Sequence, residues 1–276
     1  MTLTPNNTMH RGRWIVIGIL FLSVALLFLL PQSEFVLASI GAIIISVFAF
    51  WHGNQRYGMK NMIIFFLITW VVSNFFESLS IFTGFPFGNY HYEMPGPRLA
   101  EVPLIIMPAY FAMGYVSYML AHVLTGQYNK KLEGKQVFIV PFIASFIMVM
   151  WDLVMDPPAS TINQQWIWEE GGTYFNVPIS NFMGWFFVVY VFMQIFSIFI
   201  SKCDKLSVNT NSKLYWLEAA AVYGIQGLSF IIPTLVIDTN PEIRTSSSLI
   251  CVFTMIFVAI LSAVNIMNFN GFSKEE

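Results

Sequence analysis

The chain has 276 residues, of which 10% are charged and 57% hydrophobic, and its formal net charge is -2. Soluble domains carry about 25% charged residues. The composition excludes a soluble globular domain, a disordered chain and a nucleic-acid binder, which needs a basic excess to meet phosphates; it fits an all-α integral membrane protein.

A helix crosses a bilayer in about 20 apolar residues, and eight stretches qualify: 14–30, 35–51, 61–82, 102–125, 136–155, 181–201, 214–237 and 246–267. The first follows His10, Arg11 and Arg13 and imitates a signal peptide. No small-x-small cleavage site follows Leu30, and seven more spans do, so it reads as a helix. The expectation is one polytopic membrane domain over 1–276, with a catalytic core near 60–200 and helices 7–8 at 214–267.

The bases set the orientation. Arg11, Arg13, Arg56, Lys60, Lys130, Lys131, Lys135, Lys202, Lys205, Lys213 and Lys274 fall on the side of the N-terminus, and only Arg98 and Arg244 on the other. No span contains a base on this reading. Such a bias over short loops predicts both termini in the cytoplasm of a multi-pass plasma or inner-membrane protein.

Two long loops, 83–101 and 156–180, fall on the outer side. They are rich in aromatics, Gly and Pro, so they read as ordered caps rather than tethers. The plain alternative is an interfacial aromatic belt.

Five acids lie at or inside spans. Glu218 is one turn into span seven, where a snorkelling Lys213 is its expected partner, and it reads as structural. The other four share the outer side. Glu77 is one turn below the end of span three, and Glu101 opens span four. Asp152 and Asp156 stack at i and i+4 at the end of span five, where Pro157-Pro158 should stop the helix. Asn181 opens span six. With no cation in any span, a carboxyl here is expected to be held protonated, as a proton donor; the alternative is helix capping or cross-linking by hydrogen bonds.

A shift of 75 residues aligns Glu77 with Asp152, Gly96 with Gly171, Val102-Pro103 with Val177-Pro178, Phe111 with Phe186 and Tyr115 with Tyr190, without a gap. Spans 3–4 and 5–6 therefore read as a parallel internal repeat. Elsewhere the signals are thin. His52, His91 and His122 read as interfacial, Cys203 and Cys251 as unpaired thiols, and no nucleotide, flavin or zinc motif is present, so no cofactor and no metal are expected.

Acid groups in a hydrocarbon pocket suit protonation of an alkene in a lipid, leaving a tertiary carbocation that water captures or a neighbouring double bond closes upon. Aromatic faces stabilise such a cation. Tyr90, Tyr92, Trp151, Trp166, Trp168 and Trp185 are the candidates, with Phe85 and Phe87 of the first loop.

The segments Asn74-Phe-Phe-Glu77, Phe85-Pro-Phe-Gly-Asn-Tyr90, Trp151-Asp152 with Asp156-Pro157, and Val177-Pro-Ile-Ser-Asn-Phe-Met-Gly-Trp185 resemble the membrane carotenoid biosynthesis family that includes the CruF-type carotenoid hydratases. The chain is also distantly similar to the small-subunit lycopene cyclases. The resemblance covers roughly residues 60–200 and implies hydration of the terminal double bond of an acyclic carotenoid to a tertiary alcohol, with carotenoid, water and bilayer as partners beside other carotenoid-pathway enzymes. On this reading Asp152 or Glu77 gives the proton, while Asp156, Asn181 and Glu101 place and deprotonate water. The alternatives are a carotenoid cyclase and a proton-coupled transporter. A transporter wants polar residues along its whole path, whereas the inner halves of spans three and five are apolar.

Overall fold

The computed structural model describes residues 5–203 and 210–272. Lys205 and Lys274, counted above among the inner-side bases, lie outside the described residues. The chain is helical, as hydrocarbon demands: without water, backbone groups must pair within the segment. The helices are α1 (Pro5–Ala25), α2 (Glu34–Tyr57), α3 (Met59–Thr83), α4 (Ile106–Leu124), α5 (Gln136–Asp156), α6 (Ile179–Cys203), α7 (Lys213–Val236), α8 (Pro241–Cys251) and α9 (Phe257–Asn268). A π turn, Val252–Ile256, joins α8 to α9 as one rod.

Seven helical segments among the described residues are long and apolar enough to cross a membrane. The fourth expected span differs. It forms α4, where every residue from Tyr110 to Val123 is buried. Helices α2, α3, α5, α6, α7 and α9 surround it. A helix facing protein on all sides can carry Tyr110, Tyr115, Tyr118 and His122, which lower its hydropathy. Lipid is met instead by residues such as Leu67, Phe142 and Phe253 on the outer helices, all exposed.

Gly58 alone connects α2 to α3, at φ 81°, a backbone region that an L side chain rarely adopts. Pro157-Pro158 do not stop the fifth span. The helix runs on through them and widens into a π turn over Pro157–Ile162, since two prolines supply no amides for α-type bonds back into α5.

The structure also corrects the charge map. Arg13 lies within the first span and is wholly buried. Its Nε donates to Glu218 Oε2 at 2.5 Å and its Nη1 to Gln55 Oε1 at 2.6 Å. His10 Nδ1 lies 2.8 Å from Glu218 Oε1. Lys213, the expected partner of Glu218, donates to the Met267 carbonyl instead. His52 and His122 are buried rather than interfacial, because α1, α2, α4 and α7 pack together at this end. His52 Nε2–H donates to the Tyr215 carbonyl at 2.8 Å, and Tyr115 Oη donates to its Nδ1 at 2.5 Å.

The 75-residue correspondence is visible in the backbone at one turn of each unit. Ala100 and Glu101 have φ of 49° and 70°; Phe175 and Asn176, 75 residues on, have 49° and 69°. Both pairs make the tight turn that needs two positive φ values. The flanking partners also match: Leu99 pairs with Val102, and Tyr174 with Val177. Above these turns, β1 (Tyr90–Tyr92) and β4 (Trp166–Trp168) pair antiparallel as Tyr90↔Trp168, His91↔Ile167 and Tyr92↔Trp166. β2 (Arg98–Leu99) and β3 (Val102–Pro103) form the first unit's turn. The long loops are therefore an ordered ribbon drawn from both units.

Candidate active site

The ends of α3 and α5 meet the starts of α4 and α6 beneath this ribbon. Glu77, seven residues before Gly84 ends α3, turns inward and is buried. Three phenols converge on its carboxylate. Tyr92 Oη donates to Oε2 at 3.0 Å, Tyr90 Oη to the same oxygen, and Tyr110 Oη to Oε1. Two of these tyrosines come from β1, whose alternation points both inward, and the third from α4.

The two aspartates stack on the inner face of α5, one turn apart and both buried. A single amide joins them. Asn181 Nδ2, in the first turn of α6, donates to Asp152 Oδ2 at 3.0 Å and to Asp156 Oδ2 at 2.6 Å. Trp166 Nε1–H donates to Asp156 Oδ1 at 3.0 Å. Asp152 Oδ1 and Trp151 Nε1 are buried without a hydrogen-bond partner among the described residues.

A cavity of about 190 Å³ opens against this cluster. Glu77, Asp156 and Asn181 form its acid end, under Tyr90, Tyr92, Trp166 and Trp168. Asp152 is not on its wall. Trp151, Trp185 and Tyr110 line one side. Tyr110 and Trp185 stack, and Trp151 stands edge-on to Trp185 at 5.8 Å between centroids. The cavity lining also includes the small residues Gly41, Ala42 and Ala112 and the polar Ser23, Gln226 and Ser229, so an acidic and aromatic end adjoins a mainly apolar wall with a few polar groups.

Phe87 lines the cavity and Phe85 does not; the latter is exposed and touches Phe187. The loop is held close by Gly184 of α6, where a Cβ would lie 2.9 Å from the Pro86 carbonyl oxygen. Glu101 also departs from expectation. It sits in the positive-φ turn, exposed, with Arg98 Nη1 3.7 Å from its carboxylate, so it cannot reach the cluster.

Tyr110 escaped the sequence reading, although it lies 75 residues before Trp185 and the repeat could have marked it. Gln226 and Ser229 gave no signal, since nothing in a helical pattern says which polar residue faces a cavity.

No curated protein and no solved structure matches the chain. The family model described as carotenoid biosynthesis protein matches residues 33–257, which include every residue of this cluster. The chain belongs to the carotenoid biosynthesis protein family.

Proposed function

We propose that the protein is a cofactor-independent hydratase acting on the terminal double bond of an acyclic carotenoid. The supporting observation is the pairing, at the acid end of the cavity, of buried carboxyls with polar groups able to hold one water. A polyene slides along the small-residue wall until its branched end meets Asp156 under the aromatic roof.

Two carboxyls sharing one amide in an apolar site hold a proton between them. Asp156 gives that proton to the less substituted alkene carbon. The alkene π pair becomes the new C–H bond, and the neighbouring carbon becomes a tertiary cation. The faces of Tyr110, Trp185 and Trp168 stabilise it. Water held by Asn181 and the free Trp151 N–H attacks with a lone pair, forming the C–O bond. The oxonium returns a proton to the carboxylate pair, and no net proton is consumed. Asp152 acts through Asn181 as the second carboxyl of the pair. Glu77, fixed by three phenols, acts as the anion facing the cation.

On this reading both termini are cytoplasmic and the acid end lies toward the outer face. The test is expression in cells making lycopene or other acyclic carotenoids, followed by pigment mass measurement. A product heavier by one water supports hydration. An isomer of unchanged mass marks a cyclase with the same acid. Unchanged pigment overturns the reading.

A further inference from the structure

A second cavity, of about 710 Å³, lies beside the first at the same end of the bundle. The two differ in chemistry. The first is walled by apolar helices, whereas the second is bordered by Gln32, Glu93, Gln164, Asp238 and Arg244. They are contiguous, because Glu34, Phe35, Met94, Asn163 and Gln165 line both. The shared residues form the neck between them. Met94 is buried, Gln165 half-buried and Asn163 exposed, which grades from the apolar side to the wet side.

The neck is held by backbone. Gln165 accepts from the amides of Glu93 and Met94, and its own amide donates to the Ala159 carbonyl at 3.0 Å. Its position next to Trp166 places it one residue from the donor on Asp156. Across the vestibule, Arg244 at the start of α8 makes a two-pronged pair with Glu34 at the start of α2, at 3.2 and 3.1 Å. The guanidinium is nearly buried and fixes the far rim.

We propose that this vestibule is the water inlet of the acid site. Water passes Asn163 and Gln165 to reach Asp156 and Asn181, while the polyene occupies the apolar cavity. Separate routes let a greasy substrate fill its channel without blocking the second reactant. Gln165 is a positioning residue here: its amide relays water through the neck and touches no reacting carbon. The proposal rests on the hydration reading for its purpose, but the path can be tested apart from it.

The experiment places one cysteine at Gln165 in a chain carrying Cys203→Ser and Cys251→Ser, with Asn163→Cys as a second variant and Ala112→Cys, deep on the apolar wall, as the control. A membrane-impermeant maleimide is applied to each face of sealed membranes, and the rate at which those membranes hydrate added acyclic carotenoid is then measured by pigment mass. The inlet predicts labelling of Q165C and N163C from the vestibule face alone, no labelling of A112C, and loss of hydrated pigment once Q165C is capped. Unreactive cysteines at both neck positions overturn the inlet, as does capped Q165C that hydrates at the uncapped rate. If no hydrated pigment forms even with the unaltered chain while Q165C still labels, the hydration reading fails and the solvent path stands.

Discussion

Tyr110 and Trp185 stack with ring centroids 4.4 Å apart and planes 3° from parallel. They lie 75 residues apart, so they are equivalent positions of the two repeat units. Equivalent side chains that touch must lie near the axis relating the units. The register of β1 and β4 agrees, since its centre falls between His91↔Ile167 and Tyr92↔Trp166. Near that axis the units have diverged in chemistry: one offers Glu77 with three phenols, and the other the aspartate pair with Asn181 and an indole.

Tyr110 therefore serves two functions, donating to Glu77 and stacking on Trp185. Tyr110→Phe keeps the ring and removes the donor. A hydrogen bond to a charged group is worth about 1.5–3 kcal/mol, so conversion should slow by about tenfold to a hundredfold. Tyr110→Leu, which also removes the stack, should slow it further. Initial rates of pigment conversion at equal expression check both.

The three acids should separate by position. General acid catalysis contributes about 10²- to 10⁴-fold, and Asp156 faces the cavity. Asp156→Asn should lose that range. Asp152→Asn, behind Asn181, should lose less, and Glu101→Gln, exposed beside Arg98, should change nothing measurable. Equal losses in Asp156→Asn and Glu101→Gln would contradict the assignment.

His91 holds the ribbon on its wet side. Glu169, from the other unit, accepts from Nδ1–H, and Glu93 lies 3.0 Å from Nε2. The hydrogen bond to Glu169 raises the imidazole above its ordinary value, opposed by slight burial and aided by Glu93. A group raised on folding contributes most below its unfolded pKa and loses that contribution as pH rises through the folded value. Protection factors of the β1 and β4 amides, with the intrinsic base-catalysed rate divided out, should fall as pH rises across that window. His91→Gln should flatten the dependence.

The opposite end is a stability element. Removing one partner of a buried ion pair costs about 3–5 kcal/mol, so Arg13→Met should sharply lower the melting temperature of purified protein. Because the remaining charge causes most of that loss, Arg13→Met with Glu218→Met should recover much of it. A double variant no more stable than Arg13→Met would show that the wider network, through Gln55 and His10, dominates.

Helix positions were legible because hydrocarbon leaves the backbone a single local solution, and the repeat because Glu77 and Asp152 share a spacing with Val-Pro and Gly. What escaped depended on three-dimensional company. Arg13 looked like a flanking cation; it is buried because α7 brings Glu218 to it from 205 residues away. Glu101 looked like a site acid by depth alone, yet a positive-φ turn points it to solvent. Tyr110 looked like one more aromatic on an apolar helix. The asymmetry between Asp152 and Asp156 arises because the cavity and the Trp166 indole reach Asp156 alone, which no spacing encodes.

The account turns on an acid that adds water to a polyene end. The most direct measurement is pigment mass in acyclic-carotenoid-producing cells carrying the unaltered chain or Asp156→Asn, grown with ¹⁸O-labelled water. The account predicts one labelled oxygen per reacted end with the unaltered chain and almost none with Asp156→Asn at equal expression. Unlabelled pigment, or labelled product undiminished by Asp156→Asn, would contradict it.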